Sequence, residues 1–270
     1  MATEDLALVT AGVAGAAYVA QKLFGKTLEE MGDDLNKVYK ANRDKLLAKA
    51  AKKVADPNDG AKPNLRVARD VIWNGAVTDD EVCAEYFGGL LASSRSSDGK
   101  DDSALIYVDC IKALSAKQLY LHFVIYTCLQ NLLVKAGKVV NPGLEQEITS
   151  LEIWFALNEL HGLGLNPAID LNILHRQGLV NAYATDQKVQ GGKALPYTTA
   201  HPTTFGVLLY AAALNSLPNW VKFSRPEFSR TSDILLPNFY SSTLDDLCLL
   251  CGLTAPSASA DAVATKEEAP

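Results

Sequence analysis

The sequence predicts a mainly α-helical protein: an N-terminal helical hairpin, a central helical bundle, and a C-terminal winged-helix-like α+β module with a small β-hairpin. Three observations predict it. Helical periodicity recurs over residues 28–54, 65–114 and 116–137, with Pro-, Gly- and polar-rich breaks between them. Residues 116–137 form an apolar run long enough for the core helix of a bundle. Between Asp170 and Asn215 a short helix, two β-rich segments and another helix follow in the order of a winged-helix unit.

The elements follow in chain order. Residues 6–21 carry no charge over sixteen positions. As a helix they would span about 24 Å, short of the roughly 30 Å of a bilayer core. Nine of the sixteen are Ala, Gly or Thr, which gain little from lipid. In residues 28–54 acids precede bases, matching the helix dipole. Leu28, Leu35, Val38, Leu46 and Val54 share one face there, with Arg43 and the candidate basic surface of Lys37, Lys40, Lys45, Lys49, Lys52 and Lys53 elsewhere. DPNDGAKPN, residues 56–64, ends that unit.

Helices are expected over 65–75, 79–92, 103–114 and 116–137, the last opened by a capping box of Ser115 and Gln118. Residues 144–161 read as one further helix, and residues 170–180 as a short one closed by Gly178. NAYAT (181–185) and LPYTT (195–199) read as strands joined by the polar loop 186–194, and residues 202–215 return to helix. The expected divisions are 1–55, 64–138, 144–215, an extended arm with a short helix over 216–254, and a disordered tail over 255–270.

The chain has 270 residues and a net charge of −6, which argues against general nucleic-acid binding. The charge is uneven: residues 22–70 hold twelve Lys or Arg against eight Asp or Glu, and residues 71–270 hold thirteen against twenty-one. Five cysteines, an odd number with three inside apolar helical patterns, point to a reducing compartment. Glu4 and Asp5 replace the cationic flank of a secretory signal, so the expected location is the cytoplasm or the inner face of a membrane.

Residues 77–94, VTDDEVCAEYFGGLLASS, raise the question of chemistry because Asp79, Asp80 and Glu81 stand beside Cys83. One motif accounts for these acids. Thr78 as N-cap and Glu81 at N3 form a capping box, Val77 and Val82 a hydrophobic staple, and the acids occupy the positive first turn. Val82, Tyr86 and Leu90 then face inward, and Gly88 and Gly89 admit a neighbouring helix. Cys248 and Cys251 form a lone CxxC without further zinc ligands, and His122, His161, His175 and His201 fall in different elements. No GxSxG, P-loop or GxGxxG occurs. No catalytic residue, metal or cofactor is therefore expected.

The recognition-helix position of the winged-helix-like unit, residues 167–177, offers Arg176 and His175 against Asp170, with Lys188 and Lys193 in the wing. That is thin for phosphate contacts and favours protein contact or packing. The N-terminal segment carries the stronger lead. Leu6, Val9, Gly12, Val13, Gly15, Ala16 and Val19 are candidate membrane or oligomer contacts, with Ala11/Gly15 and Gly12/Ala16 at the four-residue spacing that permits close helix approach. The basic helix behind them suits anionic headgroups. The competing reading is a buried hairpin with a solvated lysine face.

Residues 77–133 also carry a family pattern: an acidic turn, a helix ending Phe87-Gly88-Gly89-Leu90-Leu91-Ala92-Ser93, a polar loop, then YVDCIKALSAKQLYLHFVIYTCL. This resembles the central segment of the Abi-alpha (abortive infection alpha) family, with Phe87 and the two glycines replacing the family's Trp and Ala-Asn, and Leu114-Ser115-Ala116 replacing its Leu-Ser-Pro turn. Thr78, Glu81, Phe87, Leu90 and Leu91 are the motif positions. The later Gly178-Leu179-Val180, Tyr197-Thr198 and Thr204-Phe205-Gly206 resemble the family's C-terminal ending, so the likeness spans roughly residues 5–215. The resemblance implies a bacterial anti-phage role without catalytic residues. The expectation is a non-enzymatic effector or sensor that self-associates and meets a phage or operon-partner protein or a membrane; the alternatives are a protein-binding module without membrane action and nucleic-acid binding through the basic helix.

Overall fold

A computed structural model describes residues 37–56, 58–190, 192–228, 232–237 and 239. Over these residues the protein is mainly helical with two small antiparallel sheets. The candidate contacts Leu6 to Val19, the short helix expected over 243–250 and the Cys248/Cys251 pair lie outside the described residues.

Residues 37–53 are helical (α1). β1 (Lys62–Pro63) pairs with β2 (Arg95–Ser96) and closes the loop around α2 (Leu65–Gly75) and α3 (Glu81–Ser93). Asn64 caps α2 by accepting from the N–H groups of Arg66 and Val67. α3 is buried on every side from Val82 to Ala92, as expected of a central helix with an almost wholly apolar sequence. α4 (Leu105–Lys112) and the twenty-residue α5 (Ala116–Lys135) complete the bundle. The capping box of Ser115 and Gln118 forms in full.

The start of α3 differs from the sequence reading. Its N-cap is Asp80, whose side chain accepts from the N–H groups of Val82 and Cys83, so Glu81 is the first helical residue and the Thr78/Glu81 capping box does not form. Thr78 instead belongs to the turn leaving α2, with its N–H directed to Gly75 O at 3.4 Å. Either Thr78 or Asp80 is chemically suited to cap; the position of the α2–α3 turn chooses between them.

The expected helix over 144–161 is three elements: α6 (Glu145–Thr149), β3 (Ile153–Ala156) and α7 (Leu157–Gly162). Ile153 and Phe155 are buried while Trp154 is half-buried, the period of a strand. Its partner lies more than forty residues later: Ile153 to Ala156 pair antiparallel with Ala200 to Tyr197. α8 (Pro167–Arg176) leads into β4 (Val180–Gln190), β5 (Lys193–Pro202) and α9 (Thr204–Ala213), with sheet order β3-β5-β4. Most of the polar stretch expected as a loop is strand, and the ladder runs to Gln190↔Lys193. The turn is two residues long, with Gly192 at φ +76°, a left-handed conformation that suits glycine.

The stretch after α9 is not purely an extended arm. A 3₁₀ helix (Leu217–Lys222) carries Phe223 and Phe228 into the core, where both meet the Tyr210 ring. One contiguous apolar cluster runs from Leu46 to Phe228. Among the described residues no helix is long and apolar enough to cross a membrane.

Candidate functional site

α1 attaches to the bundle along a stripe of Asn42, Leu46, Lys49, Ala50 and Lys53, all buried and spaced as one helical face. This corrects the expected lysine surface: Lys49 and Lys53 face inward, at 9% and 8% exposure, while Lys37, Lys40 and Lys52 are exposed and Lys45 is half-buried. Val38, expected on the apolar face, is 42% exposed. The inward turn of two lysines is decided by their partner. Glu85, 1% exposed, is the lone acid in the apolar body of α3, and it forms an ion pair with Lys53.

Around that pair the charges alternate. Lys49 Nζ lies 3.3 Å from Glu85 Oε2, 3.3 Å from Glu81 Oε2 and 3.1 Å from Asp233 Oδ2. Lys45 Nζ lies 3.1 Å from both Asp79 Oδ1 and Glu81 Oε1, and Lys52 Nζ 2.8 Å from Asp233 Oδ2. Four lysines of α1 thus meet four carboxylates, three on or before α3 and one from the C-terminal segment. Glu85 Oε2 has only the ionic contact and lacks an aligned hydrogen bond. The ends are tied by polar contacts: Asn42 Nδ2 donates to Ala76 O at 3.3 Å, and Asn215 Nδ2 donates to Lys53 O at 2.7 Å.

Burial dominates at Lys53 and pulls its ammonium below the ordinary value despite Glu85. For Lys49 burial also pulls down, but Asp233, Glu85 and Glu81 together outweigh it and the net direction is up. Hydrogen bonds to Asp79 and Glu81 raise Lys45, and Lys45 in turn lowers Glu81. Asp233 is lowered by Lys52 and Lys49. Cys83, the thiol beside the acids, is pushed up to about 12 by burial and is a protonated core residue at neutral pH.

At Gly88, α1 and α3 approach closely. A Cβ there would meet Lys49 Cβ at 2.8 Å and Leu46 O and Ala50 N at 3.1 Å. Gly89 faces the other way, and a Cβ on it would collide with the Ala213 backbone of α9. Phe87, Leu90 and Leu91, the other motif positions, are buried in the core around them.

A second polar feature crosses the core on that far side. The Tyr86 hydroxyl lies 2.5 Å from His122 Nδ1, and His122 Nε2 lies 3.2 Å from Gly206 O. A carbonyl only accepts, so Nε2 carries the proton and Nδ1 accepts from Tyr86. Burial lowers His122 to about 3 and keeps it neutral. Tyr126 completes the tie, donating to Leu179 O at 2.6 Å and accepting the Thr203 N–H at 3.0 Å. This network fastens α5 to α9.

The remaining candidates stay apart. His161 is exposed on α7, His175 contacts Val180 O, and His201 contacts Thr149 O and Glu152. Among the described residues no group of three His, Cys, Asp or Glu is placed to hold a metal ion. Sequence reading missed Glu85, Asn42 and Asp233. Glu85 had a signal, a single acid inside an apolar helix, whereas Asp233 had none because its partners lie some 180 residues earlier. Comparison of the chain with protein-family models, curated proteins and solved structures returned no match.

Proposed function

We propose that the protein is a non-enzymatic effector of bacterial anti-phage defence whose N-terminal apolar segment acts at a membrane or in an oligomer, with α1 held against the bundle until it is needed. The observation that carries this reading is the seam of Lys45, Lys49, Lys52 and Lys53 against Asp79, Glu81, Glu85 and Asp233. It adds charge to the apolar contacts of Leu46 and Ala50 that attach α1, and α1 continues from the chain that bears the uncharged residues 6–21. A helix held this way is sensitive to ionic conditions and to competition by an anionic surface. The defence role itself rests on the resemblance at residues 77–133 to the Abi-alpha family.

The experiment is expression in a bacterial host under phage challenge with a membrane-potential dye. Gly12→Glu and Gly15→Glu should abolish protection and depolarisation together. Full protection by both variants at normal expression would sink the membrane mechanism.

A second reading is a protein-binding module. Residues 145–202 follow the order helix, strand, helix, helix, hairpin with the middle position held by the last strand, an order that supports reading this module as winged-helix-like. Its α8 and wing expose Ile169 at 60% and Val189 at 66%, which favours a protein contact over phosphate. Under this reading a pull-down during infection recovers a discrete phage or operon-partner protein without depolarisation. Nucleic-acid binding through α1 is the weakest reading, since two of its lysines are committed to Glu85; retention of labelled DNA at low salt would revive it.

A further inference from the structure

We propose that the outer edge of β4 pairs with the same edge of a second copy of this chain, antiparallel and centred on Gln187, so that two hairpins form one continuous sheet. The proposal does not depend on the effector reading. β4 is an edge strand: among the described residues its only ladder partner is β5. β3 reaches no further than Tyr197, so the distal part of the hairpin, from Gln187 with Pro196 to its tip, extends beyond the third strand. Along β4, residues 184–187 and 189 are exposed. A long edge with unpaired backbone groups is a template for another strand.

Charge selects the occupant and the register. In an antiparallel pair centred on Gln187, Asp186 stands opposite Lys188 of the second copy, and Lys188 opposite Asp186 of the second copy. Two ion pairs then form on one face, and Val189 stands opposite Thr185 on the other. Centring the pair on Asp186 or on Lys188 sets that charge against itself, at Cβ separations of about 5 Å. Centring it between two residues sets outward-facing backbone groups against inward-facing ones, which breaks the ladder. Within this stretch the Gln187 register alone is both regular and charge-complementary.

In the free chain one donor of this edge is held locally, since the Asp186 carboxylate accepts the Gln187 N–H at 2.7 Å. On pairing, that N–H passes to the Gln187 carbonyl of the second copy and the carboxylate turns to the lysine. Because the charged residues sit on an exposed hairpin away from the core cluster, they can be exchanged without disturbing the fold.

The test uses the full chain in sedimentation velocity over a concentration series at low salt. Wild type should dimerise reversibly. Asp186→Lys and Lys188→Asp should each weaken the dimer about tenfold or more, by converting both symmetric ion pairs to like-charge contacts. The double variant Asp186→Lys/Lys188→Asp should recover wild-type association. Hydrogen exchange at residues 184–190 should slow as concentration rises. A wild type that stays monomeric, a dimer indifferent to the single exchanges (as one formed through the N-terminal segment would be), a double variant without recovery, or pairing of this edge only with a foreign peptide would each overturn the proposal.

Discussion

Gly88 and Gly89 are adjacent on α3 yet serve two different kinds of interface. Gly88 faces α1, where a Cβ would meet Lys49 Cβ at 2.8 Å and the Leu46 and Ala50 backbone at 3.1 Å, and the ion pairs around it involve the exposed acids Glu81 and Asp233. Gly89 faces α9, where the opposing surface is backbone and the contacts behind it are buried aromatic rings and the Tyr86–His122–Gly206 chain. The difference teaches where the molecule can yield. The exposed part of the α1 seam is responsive to salt and a competing anion, whereas the α9 interface is closed, largely apolar packing crossed by the Tyr86–His122–Gly206 hydrogen bonds.

The strongest way to break the contrast is Glu85→Ala, which leaves Lys53 buried without its carboxylate. Loss of one member of a buried pair costs about 3–5 kcal/mol, so urea unfolding should shift by that amount. Replacing both partners, Lys53→Met with Glu85→Leu, should recover most of it; failure to recover would mean that the seam contributes more than the pair.

Gly89→Ala should cost about 3 kcal/mol or more, because its Cβ would lie 1.8 Å from Ala213 O, a far deeper overlap than the 2.8 Å approach at Gly88. Gly88→Ala should cost less, about 1–2 kcal/mol, with the loss confined to α1. Limited proteolysis checks the distinction: cleavage near α1 should quicken in Gly88→Ala while the rest of the chain stays protected. Equal losses in the two variants would erase the contrast between the interfaces.

The far side also has its own pH signature. His122 is lowered in the folded state to about 3 from an ordinary value of 6.5, so its contribution to stability is intact above about pH 6.5 and is lost as pH falls toward 3, where only the unfolded chain takes up the proton. The slope is about 1.4 kcal/mol per pH unit in that window, and His122→Asn should flatten it. The seam adds loss only lower down, as Glu81 and Asp233, both lowered by their lysines, become protonated. On the basic side Lys45 and Lys49 are raised, so their contribution holds below their ordinary 10.5 and fades above it.

The smallest effect separates two readings of one turn. Asp80→Ala should cost about 1 kcal/mol as a lost N-cap, and Thr78→Ala close to nothing. Thermal unfolding of the pair decides it, since a capping box at Thr78 reverses the order.

Much of this was legible locally. Helices over α2, α4, α5 and α9 follow from apolar periodicity, and the box at Ser115 and Gln118 is a purely local motif. The errors arose where a distant segment decided. Ile153 to Ala156 reads as the middle of a helix until β5 is there to pair with it. The polar residues 186–190 read as a loop because an edge strand projecting into solvent has no buried face to leave a pattern. Thr78 and Asp80 are equally good caps until the turn places one of them.

By itself the sequence determined the helical class, the breaks at residues 56–64 and 141–143, the concentration of lysines in α1 and the glycine pair on α3. Those properties depend on neighbours within a few turns, and side-chain periodicity records them directly. Only the tertiary structure decided that Lys49 and Lys53 turn inward. A lysine face is solvated by default, and what reverses the default is an acid buried on another helix, whose burial no local pattern around the lysines reports.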